Sequence, residues 1–67
     1  MTTAEAYEIA AAWHDKQAAG CREIANDVPR IGPDARAKAA VAAVHHAGSA
    51  AGLRISASGL RRKEMRL

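Results

Sequence analysis

The sequence predicts an all-α fold, an antiparallel two-helix hairpin that dimerises into a four-helix bundle and carries a basic C-terminal tail. Three observations predict it. Apolar residues recur every three or four positions in two long segments, the spacing of amphipathic helices. Pro29 and Pro33 divide those segments. The core is also thin: 18 of the 33 apolar residues are Ala, which leaves 15 larger apolar groups in 67 residues. A chain of this length buries only about 60% of the surface its unfolded form exposes. A single Cys, Cys21, excludes an intramolecular disulfide, so of the usual staples, disulfides, metals and association, association is the leading one left for so small a scaffold.

The first helix is expected over residues 3–28. Thr2 and Glu5 have the capping-box spacing, and Glu5 and Glu8 suit the positive end of a helix. At 100° per residue, Ala6, Ile9, Ala10, Trp13, Gln17, Gly20, Cys21, Ile24 and Val28 share one arc, and the charged residues fall outside it. That arc is the expected core face, with Trp13 as its anchor. Gln17 is the polar residue within it, and a buried unpaired amide costs about 1–3 kcal/mol. A Gln17 contact across a dimer axis would fix register, as buried polar residues do in coiled coils. Tyr7, Ala11, His14, Ala18 and Ala25 form a second, shallower stripe, the expected partner or dimer interface.

Residues 29–33, Pro-Arg-Ile-Gly-Pro, form the expected turn, and the second helix is expected over 34–55, where a proline suits the first helical turn. Its apolar arc is Ala37, Ala40, Val41, Val44, Ala47, Gly48 and Ala51, continued by Ile55. The opposite face carries Ala35, Ala39, Ala42, Ala43 and Ala50 beside Lys38, His46 and Ser49. It is a candidate second contact surface, and His46 joins the expected interface. After Gly52 the alternation of Leu53, Ile55 and Ala57 with polar residues weakens the helical signal. The hairpin is therefore expected to occupy residues 1–58, with a frayed basic tail over 59–67.

The net charge of +3 sits in that tail: residues 1–51 carry five basic and six acidic groups, and residues 52–67 carry five basic and one acidic. Arg54, Arg61, Arg62, Lys63 and Arg66 are the candidate basic contacts. Nucleic acid is the alternative partner they suggest, through salt-dependent phosphate contacts. The tail has no aromatic residue for base stacking, and a helix-turn-helix needs a shorter connection than residues 28–33 provide. No run approaches the ~18 apolar residues of a membrane span, and the N-terminal residues are acidic where a secretory signal is basic. The expected location is cytoplasmic.

Candidate chemistry is sparse. His14 and Cys21 lie seven residues apart on one helix, about 10 Å of rise, beyond the reach of a thiol and its base. A hairpin could bring His45 or His46 opposite His14, but the spacing matches none of the usual zinc-ligand patterns. The adjacent His45 and His46 point about 100° apart on a helix. No Gly-rich phosphate loop, CxxC or HExxH pattern is present. No catalytic residue, metal ligand or cofactor is assigned, and the chain is expected not to be an enzyme.

Ala12-Trp13-His14-Asp15-Lys16-Gln17-Ala18, followed by His46-Ala47-Gly48-Ser49-Ala50-Ala51-Gly52-Leu53-Arg54, resembles short helical-hairpin proteins of bacteriophages and prophages of GC-rich bacteria. The resemblance covers about two thirds of the chain and omits the tail. It implies a non-enzymatic accessory protein of a mobile element that binds and modulates a host protein, the class to which anti-CRISPR inhibitors of host defence belong. A homodimer acting on a host protein or complex is the expected arrangement. A nucleic-acid-binding protein using the tail is the alternative.

Overall fold

The computed structural model describes residues 1–65 and shows two helices, α1 over Thr3–Asn26 and α2 over Pro33–Met65. They pack antiparallel along their length into an all-α hairpin of 55 × 17 × 10 Å, a slab one helix thick. Arg66, one of the expected basic contacts, lies outside the described residues.

Capping explains where α1 begins. The Thr2 hydroxyl accepts from the Glu5 amide at 3.1 Å, which satisfies one of the four amides a helix leaves without partners. Glu5 closes the cap differently from the expected box. Its carboxylate accepts from the Thr2 hydroxyl at 3.2 Å. The helix stops at Asn26, two residues before the predicted end, because the Asp27 amide turns back to the Ile24 carbonyl at 3.2 Å. Arg30 then donates to the Asp27 carboxylate at 2.8 Å, and the Arg36 Nε to the Ile31 carbonyl at 3.0 Å. These two bonds hold the turn. Pro33 opens α2, where its missing amide costs nothing.

The second helix does not end at Ile55. It runs through Gly52 and Gly59 to Met65, so the described part of the expected frayed tail is helix. The periodicity that carries it is on the α1 side: Leu53, Ala57 and Leu60 continue the face of Ala43, His46 and Ala50. Arg62 and Lys63 in the last turn also suit the negative helix end.

The core is a stripe of alanines. Ala4, Ala11 and Ala18 on α1 and Ala43, Ala50 and Ala57 on α2 are each at most 5% exposed, and they recur every seventh residue. Half-buried residues lie between them and just beyond their ends, His14 and Cys21 on α1 and Ala39, His46, Leu53 and Leu60 on α2. Contact between His14 and His46 fixes the register. Counting outward from it sets Ala11 against Ala50, Ala18 against Ala43 and Ala4 against Ala57. Methyl against methyl lets the two backbones approach closely, and the seven-residue repeat keeps the seam facing its partner along the whole hairpin. Each alanine contributes roughly one methyl of burial, ~0.8 kcal/mol.

This seam is not the predicted one. The face expected to be the core points outward: Trp13 is 54% exposed, Ile9 59%, Val41 58% and Val44 71%. Trp13 is therefore not the core anchor. The alanine stripe is continuous on both helices, whereas the bulky residues of α2 are divided between an outward arc of Val41, Val44 and Ile55 and the seam at Leu53 and Leu60, and ion pairs fix the rotation of α1 that buries alanine.

Candidate functional site

Counting in sevens from the buried alanines divides the hairpin into two flanks. Glu8, Asp15 and Arg22 of α1 fall on the same flank as Arg54 and Arg61 of α2. There Arg61 grips Glu8 with both guanidinium nitrogens, Nη2 to Oε2 at 2.6 Å, and Arg54 holds Asp15 in the same two-pronged way. The Arg54 hydrogen bond holds the Asp15 carboxyl below its usual value, and the same bond raises the Arg54 guanidinium. Both pairs are about half exposed, so each contributes little to stability, but turning Trp13 inward would break both.

The other flank is uncharged over most of its length. On α1 it carries Ala6, Ala10, Trp13, Gln17, Gly20 and Ile24, and on α2 the small residues Ala42, Ser49, Gly52 and Ser56 face the same way. Lys38 and Lys63 bound it at its two ends. Trp13 lies near the middle, and Ile24, 44% exposed, lies toward the turn. Aromatic residues with depleted charge mark the centres of protein interfaces, and rims are polar. Gln17 is exposed here, so its amide is wet and needs no buried partner in the hairpin.

A second cluster sits at the seam itself. The Nδ1 atoms of His14 and His46 are 2.8 Å apart and half-buried. Two imidazoles make such a bond only when one Nδ1 carries its hydrogen and the other is bare. Trp13 packs edge-on against both rings, with centroids 5.0 Å from His14 and 5.9 Å from His46. The helical repeat places His45 in line with Gly52 on the flank of α2, about 100° from His46 and exposed.

The structure thus sorts the expected interface residues. His14, Ala18 and His46 belong to the hairpin's own seam, and Ala18, 1% exposed, cannot also meet a partner, while Tyr7 stands at the seam's edge, 38% exposed. Gln17 lies on an open flank. The reading of the Tyr7–His14–Ala18 stripe as an outside surface is corrected at His14 and Ala18, which lie inside the hairpin. Its small residues suit close helix packing, and the sequence supplies the same pattern on α2. Of the basic contacts, Arg54 and Arg61 are engaged with Asp15 and Glu8, which leaves Arg62 and Lys63 as the described residues at that end facing solvent as cations. Two such groups make a small footprint for phosphate binding, since affinity scales with the charges neutralised.

Cys21 is a free, half-buried thiol in the seam. A depression at the turn end, lined by Glu23, Ile24, Asn26, Asp27, Arg30 and Ile31, is open to solvent. No helix of the described residues is long and apolar enough to cross a membrane. No known protein family, curated protein or solved structure matches the chain significantly.

Proposed function

We propose that this chain is a non-enzymatic binding module, an accessory protein of a phage or other mobile element, that docks on a host protein in the cytoplasm through the uncharged flank around Trp13. One observation carries the reading. The hairpin buries alanine and leaves its bulk outside, with Ile9, Trp13, Ile24, Val41, Val44 and Ile55 all more than 40% exposed. Trp13 and Ile24 stand on this flank, and large apolar side chains left at a surface are available to a second one and mark interaction sites. The phage setting rests on the sequence resemblance alone.

In the same reading the free protein pairs with its own copy on this flank, as a four-helix bundle. The flank has no charge over its middle to repel its copy. Host protein and second copy then compete for Trp13, and modulation is stoichiometric.

The test is capture from host lysate with nuclease present, using the wild-type chain and a Trp13→Glu variant. A partner recovered in stoichiometric amount with nuclease, lost with Trp13→Glu and kept with Arg62→Gln/Lys63→Gln, supports the reading. Recovery that disappears with nuclease, or that ignores Trp13→Glu, overturns it. The first of those outcomes favours the nucleic-acid alternative.

A further inference from the structure

We propose that His14 and His46 form a transition-metal site that links the two helices and takes Cu²⁺ or Ni²⁺. The geometry points there first. Two imidazole nitrogens bound at cis positions of a square-planar or octahedral ion, with metal–nitrogen bonds of about 2.0–2.1 Å, lie about 2.9 Å apart. The two Nδ1 atoms already stand 2.8 Å apart. A tetrahedral ion needs about 3.4 Å for bonds of that length, so Zn²⁺ fits less well without opening the seam.

The surroundings agree with an open site. Among the described residues no third His, Cys, Asp or Glu joins the pair, so the chain supplies two ligands and water fills the rest of the coordination shell. The layers on either side, Ala11 with Ala50 and Ala18 with Ala43, are buried, and the histidines themselves are only half-buried, so those waters come from the solvent-facing side of the pair. Neutral imidazole nitrogen is a favoured donor for both ions. The ring that donates in the free hairpin moves its hydrogen from Nδ1 to Nε2 through solvent, and both Nδ1 lone pairs then turn to the ion. No net proton is released in that exchange. Because one ligand comes from each helix, the ion binds the folded hairpin and stabilises it over the unfolded chain.

The protein carries its own reporter. Trp13 is the single tryptophan, and its ring packs against both histidines. A paramagnetic ion held between them quenches its emission. Titrating the wild-type chain with Ni²⁺ is expected to give saturable loss of Trp13 fluorescence at one ion per chain, reversed by EDTA. Mg²⁺ is expected to do nothing. Loss of an outer-sphere partner of a ligating histidine already weakens metal binding 10–100-fold. His14→Gln or His46→Gln should therefore weaken it at least about 10-fold, while His45→Gln leaves it unchanged.

Circular dichroism establishes that each variant keeps its helix. Should a variant lose it, the wild-type melting midpoint decides: Ni²⁺ must raise it and EDTA must return it. Three results overturn the site: no saturable quenching of the wild-type chain, quenching that survives His46→Gln, or quenching that is lost with His45→Gln. A wild-type midpoint that Ni²⁺ leaves unmoved does the same.

Discussion

His14 and His46 meet nitrogen to nitrogen across the seam, 32 residues apart in sequence and 2.8 Å apart in space. In a core otherwise built of methyl groups, this bond is the directional contact that fixes which residue of α1 faces which residue of α2. Nitrogen-15 NMR of the imidazoles in the neutral protein should show one ring with hydrogen on Nδ1 and the other with hydrogen on Nε2. Removing one partner, as in His46→Ala, should lower stability by about 1 kcal/mol in chemical denaturation.

The two faces of α1 should respond to substitution in opposite ways. Ala11→Leu or Ala50→Leu forces bulk between closely packed backbones and should destabilise the hairpin by about 1–3 kcal/mol. Ile24→Ala should change the stability of the isolated monomer by about 0.5 kcal/mol or less, and Trp13→Ala, which also loses its edge contacts with His14 and His46, by about 1 kcal/mol, measured by denaturant titration at low protein concentration. If Trp13 were the core anchor, its truncation would cost about 3–5 kcal/mol.

This contrast marks what was legible in the sequence. Two antiparallel helices, the Thr2 cap and the position of the turn follow from residue spacing and the two prolines, and all three stand in the structure. The rotation of the helices was not legible from bulk. Hydropathy favours the arc with Trp13, Ile9 and Ile24, but a seam is chosen by both helices together. The pattern they share is the seven-residue alanine repeat from Ala4 to Ala18 and from Ala43 to Ala57. That repeat is visible in the letters once small residues are weighed as close-packing sites. The uncharged flank needed the rotation first, since Trp13 and Ser49 face the same way only after the seam is known. The continuation of α2 past Gly59 was hidden by glycines, which lower helix propensity locally while Leu53, Ala57 and Leu60 hold the face against α1.

Those glycines offer an independent check. Gly48 and Gly52 lie inside α2 with ordinary backbone angles, and a Cβ at either position meets nothing within 4 Å. Gly48→Ala and Gly52→Ala should each stabilise the monomer by about 0.5–1 kcal/mol, as a higher thermal midpoint. Loss of stability in either would mean that a neighbouring surface already occupies the space.

The Asp15–Arg54 pair has a signed pH dependence. Arg54 lowers the Asp15 carboxyl from its value of 3.8 in the unfolded chain. The pair's contribution is therefore fully present above that value and is lost as pH falls through the lowered folded value. Asp15→Asn should remove that acid limb from the stability profile. Because the pair is exposed, its effect should shrink in molar salt.

Trp13 decides the central claim, that the hairpin holds itself together with alanine and keeps its bulky face for another surface. The measurement is acrylamide quenching of Trp13 fluorescence across a dilution series, with molar mass determined by light scattering at each concentration. Trp13 is expected to be open and readily quenched in every species of monomer mass, with shielding that appears only together with dimer mass or added partner. A shielded Trp13 in a species of monomer mass would contradict the central claim, and would return the aromatic face to the inside of the hairpin.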